Sequence, residues 1–417
     1  MRAAETTFNS LIRGLNFIKR QPRDWKVSAT RTSTHRLIYQ MVLPYLSIYT
    51  RELGATGTQL GLVNSIGMAI AGLVGPPTGW VIDRIGVKTV YMIGILLIAV
   101  SYLIYGVAQG WIVIIGAMIA YHLGLATSMQ GCQVICGNSL ASEDRATGMS
   151  CCETLAAGLL GMAGPMIGAW LVTGFGGVSI NGIRPLFYIA AVATVGTFVF
   201  ILYQLSNQRL IGPISGNTGL FSGISTVFKE GKNLKRWLVI TSINSLPMGM
   251  VIPFSQVFAY EIKGADQFVL GAMVTGAALM PLLLGIPSGR LADRIGRKKV
   301  LYFSIPLFWI SSLLLIWAPN SGWLIAAGVM QGFFQITAVL TGAMTFELVP
   351  PEHMGRWLGI VRLFRMLLAA GTAYLAGAIW DGIGPQYVFL AVIAIDLLVR
   401  IPLLIGMPET LNTGQKE

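Results

Sequence analysis

Twelve stretches of about 20 mostly apolar residues follow one another along this chain of 417 residues, and a helix of that length spans a hydrocarbon core about 30 Å thick. They cover about 37–53, 60–82, 89–109, 111–138, 146–173, 185–205, 237–260, 268–289, 300–318, 322–348, 357–380 and 386–407. The first is brief, from Leu37 to Tyr49, and is expected to extend toward Val27. The pattern predicts an all-α polytopic membrane protein. Composition agrees, with 54% hydrophobic and 11% charged residues, where soluble domains carry about 25% charged. A water-soluble globule is excluded, and four cysteines in so long a chain exclude a disulfide scaffold.

The 29 Lys and Arg outnumber the 17 Asp and Glu, for a net charge of +12. In a soluble protein that excess would suggest nucleic acid; between apolar spans it marks cytoplasmic loops, so no nucleic-acid partner is expected. An even number of spans puts both termini on one side. With that side cytoplasmic, the inner segments hold 23 Lys and Arg, the outer loops three (Arg51, Arg184 and Lys263), and the spans three. The positive-inside rule therefore places both termini in the cytoplasm, with the chain in the plasma membrane. The expected divisions are a basic cytoplasmic segment 1–36, a six-span bundle 37–205, a cytoplasmic linker 206–236, a second six-span bundle 237–408 and a tail 409–417. The first segment does not read as a cleaved signal. Phe8, Leu11, Ile12, Leu15 and Ile18 recur in it at the spacing of a helix lying on the membrane surface.

The two bundles repeat each other. Met41-Val42-Leu43-Pro44 recurs as Met250-Val251-Ile252-Pro253 at an offset of 209, and Gly79-Trp80-Val81-Ile82-Asp83-Arg84-Ile85-Gly86 as Gly289-Arg290-Leu291-Ala292-Asp293-Arg294-Ile295-Gly296 at 210. Arg145 and Gly148 pair with Arg356 and Gly359 at 211. Six spans per repeat preserve orientation, so the halves relate by an axis along the membrane normal, an arrangement of alternating-access transporters.

These residues resemble the major facilitator superfamily, whose hallmark is Gly-x-x-x-Asp-Arg-x-Gly-Arg-Lys between the second and third helices. The first copy, Gly79 to Lys88, departs only where Val87 replaces the Arg, and the second, Gly289 to Lys298 with Arg297 in place, is complete. The resemblance covers Arg36 to Pro408 and implies twelve transmembrane helices in two pseudo-symmetric bundles. In chemical terms the glycines permit a tight turn. The Asp can cap a neighbouring helix, and the Arg can pair with Glu143, Asp144 or Glu352.

Charges within spans are costly, about 2.5 to 3.5 kcal/mol on insertion scales, so Glu153, Arg362, Arg365, Asp396 and Arg400 carry information. Glu153 lies about 12 Å along its helix from Arg145, and Arg362 and Arg365 lie at similar depth. The resemblance implies that helix 5 faces helix 8 and helix 11 faces helix 2, which would bring Glu153 to Arg290 and Arg362 to Asp83 as latches closing the cytoplasmic side. A competing reading makes Glu153 a proton carrier. Asp396 and Arg400, four residues apart, form a structural pair. In the family helices 1, 4, 7 and 10 line the cavity, which nominates Tyr39, Gln40, His122, Gln130, Gln133, Asn138, Asn244, Gln256, Gln331 and Gln335 for substrate binding, with interhelical packing as the other use of these amides. His122 is the one ionisable group in that set, which argues for a neutral, zwitterionic or lipophilic substrate. Gly164-Pro165 with Gly168 and Ala169 resembles part of the Gly-Pro-x-x-Gly-Gly signature of drug and proton antiporters. Cys132, Cys136, Cys151 and Cys152 do not follow a zinc spacing and read as reduced packing residues, so no metal is expected. No phosphate-binding Gly-rich loop supports ATP-driven pumping, and no catalytic cluster supports an enzyme or any cofactor. The expected function is secondary transport of a small organic solute by a monomer, coupled to protons and directed outward. Uptake of a sugar or other neutral metabolite is the alternative, and a receptor or membrane-embedded enzyme a distant one.

Overall fold

The computed structural model describes residues 17–141, 144, 148, 152, 160–206, 233–349 and 354–409, and within these the side chains of all but 75–77, 79, 80, 83, 137, 138, 355 and 356. Among the described residues the regular structure is helical: α1 (Arg23–Glu52), α2 (Gly57–Ile85), α3 (Val87–Val107), α4 (Trp111–Ser139), α5 (Gly161–Gly174), α6 (Ile180–Gln204), α7 (Leu234–Ile262), α8 (Gln267–Ile295), α9 (Arg297–Trp317), α10 (Ser321–Leu348), α11 (Met354–Gly382) and α12 (Pro385–Ile405). Ten of these are long and apolar enough to cross a membrane. The other two are α5, described only over its second part, and α1, which carries the basic residues from Arg23 to Arg36.

That first helix extends past Val27, in the direction the sequence suggested, and begins at Arg23, so residues 23–36 are one end of a continuous helix. Trp25, Val27, Ala29 and Arg31 are buried in it against other helices. Phe8, Leu11, Ile12 and Leu15 lie outside the described residues.

The turns explain how the repeat folds. Gly86 ends α2 and starts α3 at a φ of +88°, and Gly296 does the same between α8 and α9 at +111°; both values suit glycine and strain any side chain. One lysine anchors each turn. Lys88 donates through Nζ to the carbonyls of Leu202 and Leu205 at the end of α6 (3.2 and 2.6 Å), and Lys298 to those of Ile405 and Met407 at the end of α12 (2.9 and 2.6 Å). The cations thus neutralise orphan carbonyls and the negative dipole ends of the closing helices.

Within the first half α3 packs on α4 and α6, α2 on α4, and α1 on α4, α5 and α6. The second half repeats this, with α9 on α10 and α12, and α7 on α11 and α12. Across the halves α2 packs on α11, α5 on α8 and α1 on α7, including both contacts that the resemblance implied. Three helices of the second half are interrupted. α7 breaks at Asn244 and again at Val251, before Pro247 and Pro253, because proline cannot donate to the preceding turn. α10 breaks at Gly332, where an added Cβ would lie 2.4 Å from Met280 of α8. α12 widens into a π turn over Asp396–Arg400.

Candidate transport path

The two ends of the bundle are built differently. At the charge-poor end, with the turns at 53–56, 175–179, 263–266 and 383–384, the halves are joined by side chains. Arg51 donates to both carboxylate oxygens of Glu261 (2.8 and 3.0 Å). The Asp381 carboxylate accepts from the amides of Gly57 and Thr58 (2.9 and 2.7 Å) and from Thr58 Oγ1 (2.7 Å). An anion from the end of α11 thereby satisfies the orphan amides and positive dipole of α2. Gln267 Nε2 donates to Thr173 Oγ1 (2.9 Å), and Tyr260 Oη to the Val178 carbonyl (3.1 Å).

Small residues let the backbones meet beneath these bonds. A Cβ at Gly61 would lie 2.4 Å from the Ala373 carbonyl, one at Gly377 2.3 Å from the Gly57 carbonyl, and one at Gly271 2.9 Å from that of Pro165. Gly164 and Gly168 touch the α1 backbone at Leu37 and Met41 in the same way. The Gly-Pro-x-x-Gly stretch thus seats α5 between α1 and α8. Sequence reasoning missed Asp381, which falls just past the eleventh apolar run; its cue was a carboxylate where a helix starts opposite.

At the basic end no comparable bridge joins the halves among the described residues. Glu153 lies outside the described residues, as do Glu143, Arg145 and Glu352, and the Asp83 and Gly79 side chains are likewise undescribed. Among the described residues neither Arg290 nor Arg362 has a carboxylate partner. The second motif copy is visible in full. Asp293 pairs with Arg297 of its own motif (3.3 Å), and Arg297 reaches Glu347 at the end of α10 (2.6 Å). Asp293 therefore does not cap α9; the amide of Lys298 is met by Glu409 instead (3.3 Å). Arg290 and Arg294 of that copy are exposed, as is Arg84 of the first.

Nearer the middle, Tyr39 belongs to an aromatic group. Its ring stacks on Tyr121 of α4 at 5.6 Å, His35 lies 6.5 and 6.4 Å from the two, and Tyr102 of α3 closes on Tyr121 at 6.1 Å. His122 turns the other way. Its Nδ1 lies 3.0 Å from the Met118 carbonyl and its ring fills the space over Gly67 of α2, a packing role within one half.

The expected amides separate. Gln40 and Gln256 are buried with Oε1 unbonded, and Gln331 has Nε2 buried and unbonded. Gln130 is half-buried, while Gln133 and Gln335 are exposed. Asn244 is a correction to the cavity set: its Oδ1 accepts from Arg400 (2.7 Å) inside the second half. The Asn138 side chain is outside the described set.

The basic groups of α1 were not among the sequence candidates, although the helix was expected to extend toward Val27; it starts at Arg23. Arg31 is 3% exposed, and Arg31, Arg36 and, on α11, Arg365 each have a buried Nε without a hydrogen bond. None has a carboxylate partner among the described residues.

Comparison with known proteins follows the same outline. Residues 32–242 and 237–417 match the family model described as Major Facilitator Superfamily. Multidrug resistance protein MdtG of Dickeya zeae (strain Ech586) is 27% identical over 295 residues, 67% of each chain. MdtG of Serratia proteamaculans (strain 568) is 26% identical over 291 residues, again 67% of each. The crystal structure of a mutant nucleoside transporter NupG superposes with a TM-score of 0.78 at 14% identity, covering 93% of this chain and all of that one; at that identity the likeness speaks for the fold.

Proposed function

The chain belongs to the Major Facilitator Superfamily, and from that premise we propose that it is a monomeric, proton-coupled exporter of amphipathic organic solutes, with both termini in the cytoplasm. It is a multi-pass membrane protein and a secondary transporter, not an enzyme. The outward direction is supported by its likeness to proteins named for multidrug resistance. The plasma membrane is the proposed location, and the basic end is assigned to the cytoplasm by its excess of Lys and Arg.

The observation that carries the reading is the set of side-chain bridges between the halves at the charge-poor end. Arg51–Glu261 and the Asp381 cap bridge the halves at the charge-poor end, which supports reading this conformation as closed at that end. Asp83 with Arg362, and Glu153 with Arg290, are the proposed latches of the basic end. His35, Tyr39, Tyr121 and Arg36 are proposed as the wall that the first half offers the solute, with Gln40, Gln130, Gln133, Gln331 and Gln335 as polar contacts. Arg36, which has no carboxylate partner among the described residues, favours solutes that pair an aromatic body with a negative or strongly polar group. That shifts the expectation drawn from sequence toward anions.

Flux in proteoliposomes tests the reading. An aromatic carboxylate loaded inside, with the protein inserted basic end inward, should leave faster when the outside is made acidic, and a protonophore should remove the difference. Flux indifferent to the pH gradient would reject proton coupling, and movement only inward would reject export. Closure of the charge-poor end has its own test in the same assay. Arg51→Glu places two carboxylates together and should slow flux about fivefold, from about 1 kcal/mol of lost closure for a half-buried pair. Arg51→Glu with Glu261→Arg should restore it; equal loss in both variants would show that the pair does not close this end.

A further inference from the structure

Three thiols of the first half converge although their spacing predicts only packing. Cys132 and Cys136, one turn apart on α4, and Cys152 have Sγ atoms all within 4.8 Å of one another. Cys136 and Cys152 are buried. Ser28 of α1 adds a hydroxyl 3.2 Å from Cys132 Sγ and 3.9 Å from Cys136 Sγ, and Thr32 another 3.4 Å from Cys132. Cysteines that merely fill space scatter among apolar neighbours; these face each other. Around zinc, with metal–sulfur bonds of about 2.3 Å, tetrahedral sulfurs stand roughly 3.8 Å apart, so the triangle needs a contraction of about 1 Å at most.

A buried cation lies on the far side of a neighbouring ring. Arg31, one turn from Ser28 on α1, holds its guanidinium 5.1 Å over the Tyr91 ring, and that ring lies against Gly131, the residue before Cys132. A buried cation without an anion is strongly unfavourable. Three thiolates around a dication leave one net negative charge, which this guanidinium cancels. A monocation would leave a second charge uncompensated.

We propose that Cys132, Cys136 and Cys152 bind one thiophilic divalent cation of the zinc and cadmium class, with Arg31 as its counter-charge. On binding, three S–H groups release their protons to solvent and three sulfur–metal bonds form. The neutral Ser28 hydroxyl or a water takes the fourth position. An open groove of about 620 Å³ at the basic end is lined by Gln21, Leu140 and Asp144, and Leu140 packs with Cys136 and Cys152, so the site lies one side chain away from that groove. The site lies wholly within the first half, tying α4 to the chain before α5, so an occupied site leaves the rocking of the halves free.

The test uses the full-length protein in detergent, reduced, stripped with chelator and titrated with Cd²⁺. The thiolate-to-cadmium charge-transfer band should saturate at one equivalent per chain. Alkylation read by intact mass should show three of the four cysteines protected. Cys132→Ser should abolish the saturable band, Cys151→Ser should keep it, and Arg31→Gln should weaken binding about 10-fold. The wild-type measurements stand even where a variant fails to fold. No saturable band, protection of fewer than three thiols, or loss of the band in Cys151→Ser would overturn the proposal.

Discussion

Replacing Asp396 by Leu is expected to destabilise the detergent-solubilised protein by about 3 to 5 kcal/mol, while the double change Asp396→Leu with Arg400→Leu recovers most of that loss. Both residues are almost fully buried, at 2% and 3% exposure, in the π turn of α12. Their closest oxygen and nitrogen are 3.6 Å apart. The carboxylate also accepts from Trp309 Nε1 of α9 (2.8 Å), and the guanidinium donates to Asn244 Oδ1 of α7 (2.7 Å). The network therefore joins three helices where α7 is broken. Removing the acid alone strands a guanidinium with one amide partner in an apolar setting. Removing both charges exchanges the network for apolar packing, which is often neutral or stabilising. Asp396→Asn should fall between, because it keeps an acceptor for Trp309. Thermal unfolding followed by tryptophan fluorescence decides the matter. Equal losses in the single and double variants would mean that the side chains act through shape and not through charge.

The same network shows what the sequence could and could not reveal. Spacing at four residues was enough to pair Asp396 with Arg400, since both lie on one helical face. Nothing local indicated that Asn244, more than 150 residues away, completes the pair, and so it read as a cavity amide. The twelve spans and the repeat were legible because hydrophobic length and glycine turns are local properties. The φ values of Gly86 and Gly296 express the motif directly. The environment of the α1 cations was hidden for the opposite reason. Arg31, His35 and Arg36 count against a span on any hydropathy scale, yet Arg31 sits over Tyr91 and His35 against Tyr39 and Tyr121, partners supplied by tertiary structure. The family resemblance likewise marked Gln130, Gln133, Gln331 and Gln335 by the helices they sit on, without saying which neighbour each would meet.

Gly61→Leu should trap the charge-poor end open and reduce flux at least about 10-fold, the second large effect expected of this fold. An added Cβ at Gly61 meets the Ala373 carbonyl at 2.4 Å and Gly377 at 3.2 Å, and backbone atoms cannot turn aside as side chains do. Overpacking of this kind costs about 1 to 3 kcal/mol, and because the clash exists only while α2 and α11 are in contact, the cost falls on one conformation. A bias of that size changes the closed-to-open ratio roughly 5- to 150-fold. Gly116→Leu is the control, since no atom lies within 4 Å of the Cβ position there. The conformational shift can be read at the other contact between the halves. Ala169 is fully buried on α5 beside Gly271 of α8, so Ala169→Cys in a cysteine-free background should resist an impermeant thiol reagent while that end is closed. Gly61→Leu should make it react, and Gly116→Leu should leave it protected. Protection retained in Gly61→Leu, with flux unchanged, would show that α2 and α11 need not meet at these glycines for the charge-poor end to close.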